Sequence, residues 1–90
     1  MKTIKILISG LVQGVSFRAF IKERAENLGL RGYVKNLDNG KVEIVVEGES
    51  NEVNKLIELC KQGPRESRVK SINIEKIQEQ GFENFRIIRN

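Results

Sequence analysis

Ile4, Ile6 and Ile8 alternate with Lys5, Leu7 and Ser9, the period-2 pattern of a strand with one buried face, ending near Gly10. The period then lengthens. Phe17, Phe20, Ile21, Ala25 and Leu28 recur at helical spacing, and Gly29 supplies a stop. Ser16 stands where an N-cap is expected, its hydroxyl placed to accept from an orphan amide of the first turn. Leu30 to Leu37 and Lys41 to Glu47 predict two strands joined through Asp38-Asn39-Gly40. Asn-Gly is the dipeptide favoured in a type I′ hairpin turn. On the second of these strands Val42, Ile44 and Val46 point one way, while Glu43 and Glu47 point to the other face. A second helix is expected from Asn51 to Gln62, with Ser50 as its cap and Gly63-Pro64 as its end. Ile72 and Ile74 mark a fourth strand. Val69 and Ile77 fall out of their alternation, which predicts a bulge or a distorted end. Gly81 separates this strand from a short last one through Phe85 and Ile87.

The resulting order is β-α-β-β-α-β with an extra C-terminal strand. It predicts an α+β, ferredoxin-like sandwich: an antiparallel sheet of four to five strands with two helices on one face. Neither a repeat, a low-complexity segment nor a linker interrupts it, so residues 1–90 read as a single domain. The fold alone assigns no function, because many unrelated activities use it.

Composition narrows the chemistry. With 39% hydrophobic and 31% charged residues, the chain fits a folded globular domain and not a disordered one. Its longest apolar stretches, such as Ile44-Val45-Val46, fall far short of the roughly 20 residues of a membrane span. The N-terminus enters its strand pattern at once, without the apolar core of a signal peptide, so a cytoplasmic location is expected and no membrane partner. There is no histidine and one cysteine. Histidine-based general acid–base catalysis and Ser-His-Asp or Cys-His nucleophiles are thereby excluded, as is a zinc site. Cys60 shares a helical face with Val53, Leu56 and Ile57 and reads as a core side chain. The net charge of +4 favours an anionic partner. Yet the cations are interleaved with acids, as in Lys22-Glu-Arg24 and Arg65-Glu-Ser-Arg68, so much of this charge is a solvated surface.

The segment that carries chemistry is the turn from the first strand into the first helix. Gly10 and Gly14 flank Leu-Val-Gln, and Val15-Ser16 lead into the helix. Glycine permits backbone angles that gather successive N–H groups into a concavity, and a helix N-terminus adds free amides and a positive dipole end. Arg18, in the first helical turn, can fork onto phosphate oxygens. A cation there opposes the helix dipole by a few tenths of a kcal/mol or so, a cost that a bound anion removes. Two glycines and an arginine also serve simply to shape a tight turn, since neither a Walker A nor a dinucleotide fingerprint is present. Asn36, likewise, is by itself a turn-proximal asparagine able to satisfy its own backbone. Ser16 lacks a partner base, which makes it a cap or loop-shaping residue and not a nucleophile.

Longer strings decide between these readings. Gly10-Leu-Val-Gln-Gly-Val-Ser-Phe-Arg18 resembles the acylphosphatase signature, G-x-V-Q-G-V-x-F-R. Gly32-Tyr-Val-Lys-Asn36-Leu-Asp-Asn-Gly40-Lys-Val-Glu43 is similar to that family's second motif, in the same order along the chain. Glu47-Gly48, Gly63-Pro64 and Phe82-Glu-Asn-Phe85 also fall in family-like places. The resemblance implies hydrolysis of a carboxyl-phosphate bond to a carboxylate and inorganic phosphate. It implies that the backbone amides of Gln13, Gly14, Val15, Ser16, Phe17 and Arg18, with the Arg18 side chain, hold the phosphoryl group. Asn36 would orient the attacking water. No metal and no cofactor are implied, and a monomer acting on a small acyl phosphate is. The C-terminal Arg89-Asn90 departs from the more usual Arg-Tyr-like ending, which puts a role for the terminus near the site in question.

This chemistry suits the composition. An acyl phosphate departs as a carboxylate whose conjugate acid has a pKa of about 4, so a site without histidine needs no strong general acid. Phosphoryl transfer rests chiefly on positioning and charge stabilisation, which an amide-lined loop and Arg18 supply. Two other classes share the element order. An RNA-recognition module is opened by Arg31-Gly32-Tyr33, but Val34-Lys35-Asn36 breaks its motif, the string lies on the second strand, and few aromatics remain for stacking. No nucleic-acid partner is therefore expected. Acylphosphatase-like domains also occur inside larger carbamoyl-transfer maturation proteins, where carbamoyl phosphate would be the substrate. A stand-alone domain favours the simple hydrolase.

Overall fold

The computed structural model describes residues 1–89. Its elements are β1 (Lys2–Leu11), α1 (Phe17–Asn27), β2 (Arg31–Asn36), β3 (Val42–Gly48), α2 (Ser50–Gln62), β4 (Arg68–Lys76) and β5 (Phe85–Ile88). They form the expected ferredoxin-like order. The sheet runs β4-β1-β3-β2-β5. Its first four strands pair antiparallel. The short β5 joins the β2 edge in parallel, Gly32 opposite Phe85 and Lys35 opposite Ile88, so the five-stranded sheet is mixed. No helix among the described residues is long and apolar enough to cross a membrane.

One core lies between sheet and helices. Ile4, Ile6 and Ile8 meet Val42, Ile44 and Val46 across the β1–β3 ladder and pack with Phe17, Ile21 and Ala25 of α1 and Val53, Leu56 and Cys60 of α2. Each fully buried aliphatic contributes about 1.5–3 kcal/mol relative to exposure. The helical faces read from spacing are thus the buried ones, and burial pushes the Cys60 thiol up to about 12. Helix α1 ends in a Schellman motif, Leu30 N donating to Ala25 O at 2.9 Å and Gly29 N to Glu26 O at 3.0 Å.

The predicted irregularity of β4 is a bulge. Ser9 pairs with Ser71 but Gly10 with Val69, leaving Lys70 as the extra residue. Gly10 sits at φ 124°, where a Cβ would lie 2.1 Å from Arg68 O. Only glycine lets the two backbones approach this closely.

Three local expectations are corrected. The β2–β3 connection is not a type I′ turn, which requires positive φ at both central residues. Asn39 does not have it: Ser16 is the only positive-φ residue other than glycine among the described residues. Gly40 N closes onto Leu37 O at 3.1 Å and Gly40 follows at φ 89°, the pattern of a three-residue loop. Helix α2 begins one residue early and is capped by Glu49, not Ser50. Glu49 holds an extended backbone and its carboxylate accepts from Asn51 N at 3.4 Å, where a negative charge also suits the dipole. Ser16 occupies the N-cap place of α1 at φ 61°, ψ 26°, in the left-handed region, and makes no side-chain cap bond. A capping side chain works from an extended backbone, which Ser16 lacks.

The second face of the sheet is less open than its charges imply. Glu43 and Glu47 do point away from the helices, but both are buried, as is Val45 between them. Tyr33 donates to Glu43 Oε2 at 2.8 Å, with Lys5 and Lys35 near the same carboxylate at 3.8 and 3.7 Å. The Phe82 ring meets Tyr33 edge-on.

Candidate active site

Gly14 at φ 76° and Ser16 at φ 61° bend the chain between β1 and α1, so the loop curls around the N-terminal end of the helix. No acid lies in the first turn and no side chain caps it. Ser16 O receives the first helical bond from Phe20 N at 3.0 Å. The amides of the first turn, lacking intrahelical acceptors, are left facing outward. Gly14 is needed for its backbone angle alone, because a Cβ there would touch nothing within 4 Å.

A cleft of about 160 Å³ opens at this end, lined by Val12, Gly14, Ser16, Phe17, Arg18, Ala19, Asn36, Ile87 and Arg89. Five of the residues singled out from sequence meet here: Gly14, Ser16, Phe17, Arg18 and Asn36. Gln13 and Val15 do not line it. Val15 packs against the core. Gln13 Nε2 instead donates to Leu37 O at 2.8 Å and Lys41 O at 2.9 Å, tying the loop to the β2–β3 hairpin. Asn36 comes in from the end of β2, and its Oδ1 is buried.

Four lining residues were missed: Val12 and Ala19, which flank the loop, and Ile87 and Arg89 from the far end of the chain. Ile87 and Arg89 reach the cleft because β5 runs parallel to β2 and ends beside Asn36. Arg89 had been set in question by its sequence neighbourhood; a C-terminal strand with a basic end was the only available signal. Among the described residues the cleft lining therefore includes two arginines and no acidic side chain. Among the described residues neither Arg18 nor Arg89 is ion-paired. A cleft walled by charge of one sign concentrates the opposite ion. No group of three or more histidine, cysteine, aspartate or glutamate side chains suited to a metal occurs among the described residues.

A split βαβ sandwich with Arg18, Arg89 and Asn36 around one cleft at the start of α1 defines a domain of the ferredoxin-like class. Comparisons with known proteins make this specific. The acylphosphatase family profile matches residues 4–87, and the chain belongs to that family. It is 44% identical to an acylphosphatase of Methanocella arvoryzae over 87 residues, 97% of this chain and 99% of the relative. The acylphosphatase structure from Bacillus subtilis superposes with a TM-score of 0.95 at 37% identity, over 99% of this chain and 100% of the other. The larger T. kodakarensis HypF contains a similar unit, at a TM-score of 0.84 and 43% identity, spanning all of this chain but 12% of HypF. The expected family and the expected enzyme class, a hydrolase of acyl phosphates, are thus in place.

Proposed function

We propose that the cleft is the catalytic site of acyl phosphate hydrolysis, with the phosphoryl group held at the open end of α1 and by Arg18, and the water oriented by Asn36. The observation that carries this is the convergence of Arg18, Asn36 and the uncapped helix end on one cleft. Water oxygen attacks phosphorus, the bond from phosphorus to the acyl oxygen breaks, and a carboxylate departs. Amides and guanidinium stabilise the charge on the phosphoryl oxygens. An amide side chain cannot take the proton from water, so a substrate phosphate oxygen accepts it. Backbone amides of Gln13 and Val15 belong to the same curve of chain, although only Gly14, Ser16, Phe17 and Arg18 of the loop line the cleft. Arg89 adds a second cation to the wall.

The substrate on this reading is a small acyl phosphate, turned over by a cytoplasmic monomer without metal or cofactor and with no nucleic-acid partner. The sheet face away from the helices supports the last point. Thr3, Lys5 and Leu7 of β1 and Glu43, Val45 and Glu47 of β3 bring no aromatic to it, and Tyr33 of β2 is already engaged there by Glu43 and the Phe82 ring, away from a stacking role.

The test is benzoyl phosphate hydrolysis with a chelator present. Arg18→Ala should lower kcat/KM by about 10²–10³-fold and weaken inhibition by inorganic phosphate. Asn36→Ala should lower kcat while KM changes little. Wild-type turnover by Arg18→Ala would sink the assignment. Carbamoyl phosphate in parallel separates a general acylphosphatase from a domain specialised for that substrate.

A further inference from the structure

Glu47 is 1% exposed on the sheet face away from the helices, and both of its oxygens are fully engaged. Oε2 accepts from Thr3 Oγ1 at 2.8 Å and Gln80 N at 2.6 Å. Oε1 accepts from Gly81 N at 3.0 Å and Phe82 N at 3.1 Å. Three of these donors are successive amides of the segment between β4 and β5. The protein has closed a small amide nest around an anion of its own chain. Burying a carboxylate is costly unless its lone pairs are met, so this arrangement does more than fill space.

Its placement shows what depends on it. The clamped amides lie just ahead of β5, with only Glu83 and Asn84 between, and β5 pairs only with β2, in parallel, over four positions. Gly32 N donates to Asn84 O at 2.9 Å just beyond the clamp. A one-residue slip of so short a strand would exchange its two faces. Ile87 and Arg89 would then leave the cleft they line.

We infer that Glu47 is a positioning residue for the active site: through residues 80–82 it sets the register of β5 and thereby holds Ile87 and Arg89 at the cleft. The inference rests on the site assigned above. Its test is a double-mutant cycle on benzoyl phosphate KM, kcat and inhibition by inorganic phosphate. Glu47→Ala should raise KM and the phosphate inhibition constant by about three- to tenfold with kcat little changed. Arg89→Ala should do the same, and the double variant should be no worse than Arg89→Ala alone. Additive losses in the double variant, or unchanged constants in folded Glu47→Ala, would overturn it. A purely structural Glu47 would lower the fraction folded without moving the KM of the folded enzyme. If Glu47→Ala does not fold, Thr3→Val, which removes one donor, takes its place in the cycle with the same criteria. The two assignments fail separately. Wild-type KM in Arg89→Ala with inactive Arg18→Ala and Asn36→Ala overturns the role of Glu47 alone, whereas activity surviving Arg18→Ala overturns the site.

Discussion

Gln13 lies between the two pieces of chain that make the site and joins them with one side-chain amide. Both hydrogen bonds run from Nε2 to main-chain carbonyls, Leu37 O and Lys41 O, on either side of the hairpin that follows Asn36. The β1–α1 loop and the end of β2 that carries Asn36 are thereby tied to each other. Gln13→Ala should cost about 1–3 kcal/mol in denaturant titration, because two hydrogen bonds of about 0.5–1.5 kcal/mol each are lost, while the carbonyls keep their backbone donors, Gly40 N on Leu37 O and Leu37 N on Lys41 O. Gln13→Glu should cost more, since a carboxylate would face the same two carbonyls. Equal stability of Gln13→Ala and wild type would show that water replaces the amide at no cost. This link was not legible in the sequence. Its acceptors are backbone carbonyls, which every residue carries, so nothing at Leu37 or Lys41 advertises the bond. Arg18 and Asn36 stood out in the sequence through the two longer strings that resemble the family's motifs, and both come to the cleft.

Strands and helices were the easier part, and their limits show where side-chain pattern stops carrying information. Strand β1 and both helical faces follow directly from apolar spacing, since burial on one face is what the spacing encodes. Strand β4 was visible only as a broken alternation, which the extra residue Lys70 explains. The direction of β5 was not visible, because four residues pair equally well either way and their partner is chosen by the chain that leads to them. Turn and cap details failed for a similar reason: Asn39-Gly40 and Ser50 carry preferences that a neighbouring residue outcompeted, Gly40 alone supplying the positive φ and Glu49 the cap. The bulge gives the test at this scale. Gly10→Ala should destabilise by about 2–4 kcal/mol, from positive-φ strain and collision with the Arg68 carbonyl. Gly14→Ala, with open space around its Cβ, should cost only about 1–2 kcal/mol. Similar losses by thermal or urea unfolding would count against a steric need at Gly10.

For the molecule as a whole, two buried or half-buried groups on the far side of the sheet set how stability depends on pH. Burial by itself would raise the Glu47 carboxyl, but the amides of Gln80, Phe82 and Gly81 and the Thr3 hydroxyl outweigh it and hold the pKa below 4.5. A lowered folded-state value contributes stability that is present above the ordinary carboxylate range and lost as pH falls through the folded value. Tyr33 has the opposite sign. Burial, the Glu43 hydrogen bond and the Glu43 charge push its hydroxyl up to about 12, so its contribution is intact below 10 and lost as pH rises towards 12. Denaturant midpoints against pH should therefore fall at both ends. Glu47→Gln should flatten the acid limb and Tyr33→Phe the alkaline one. Tyr33 is the sole tyrosine, and its tyrosinate absorbance should appear with a midpoint near 12. A midpoint near 10 would mean that the phenol is open to water.

The left-handed, uncapped Ser16 has a further consequence for turnover. Helix α1 begins without the partner that most helices carry in their own sequence, so whatever tetrahedral anion arrives there completes it. On the proposed site, substrate and product would bring the same phosphoryl oxygens to the same amides and the same Arg18, an anchor that tells arrival poorly from departure. Preference for the anhydride over spent phosphate would then have to come from the rest of the cleft, where Ile87 and Val12 offer apolar wall. An enzyme built this way would slow as its own product accumulates, its flux tied to the phosphate level around it.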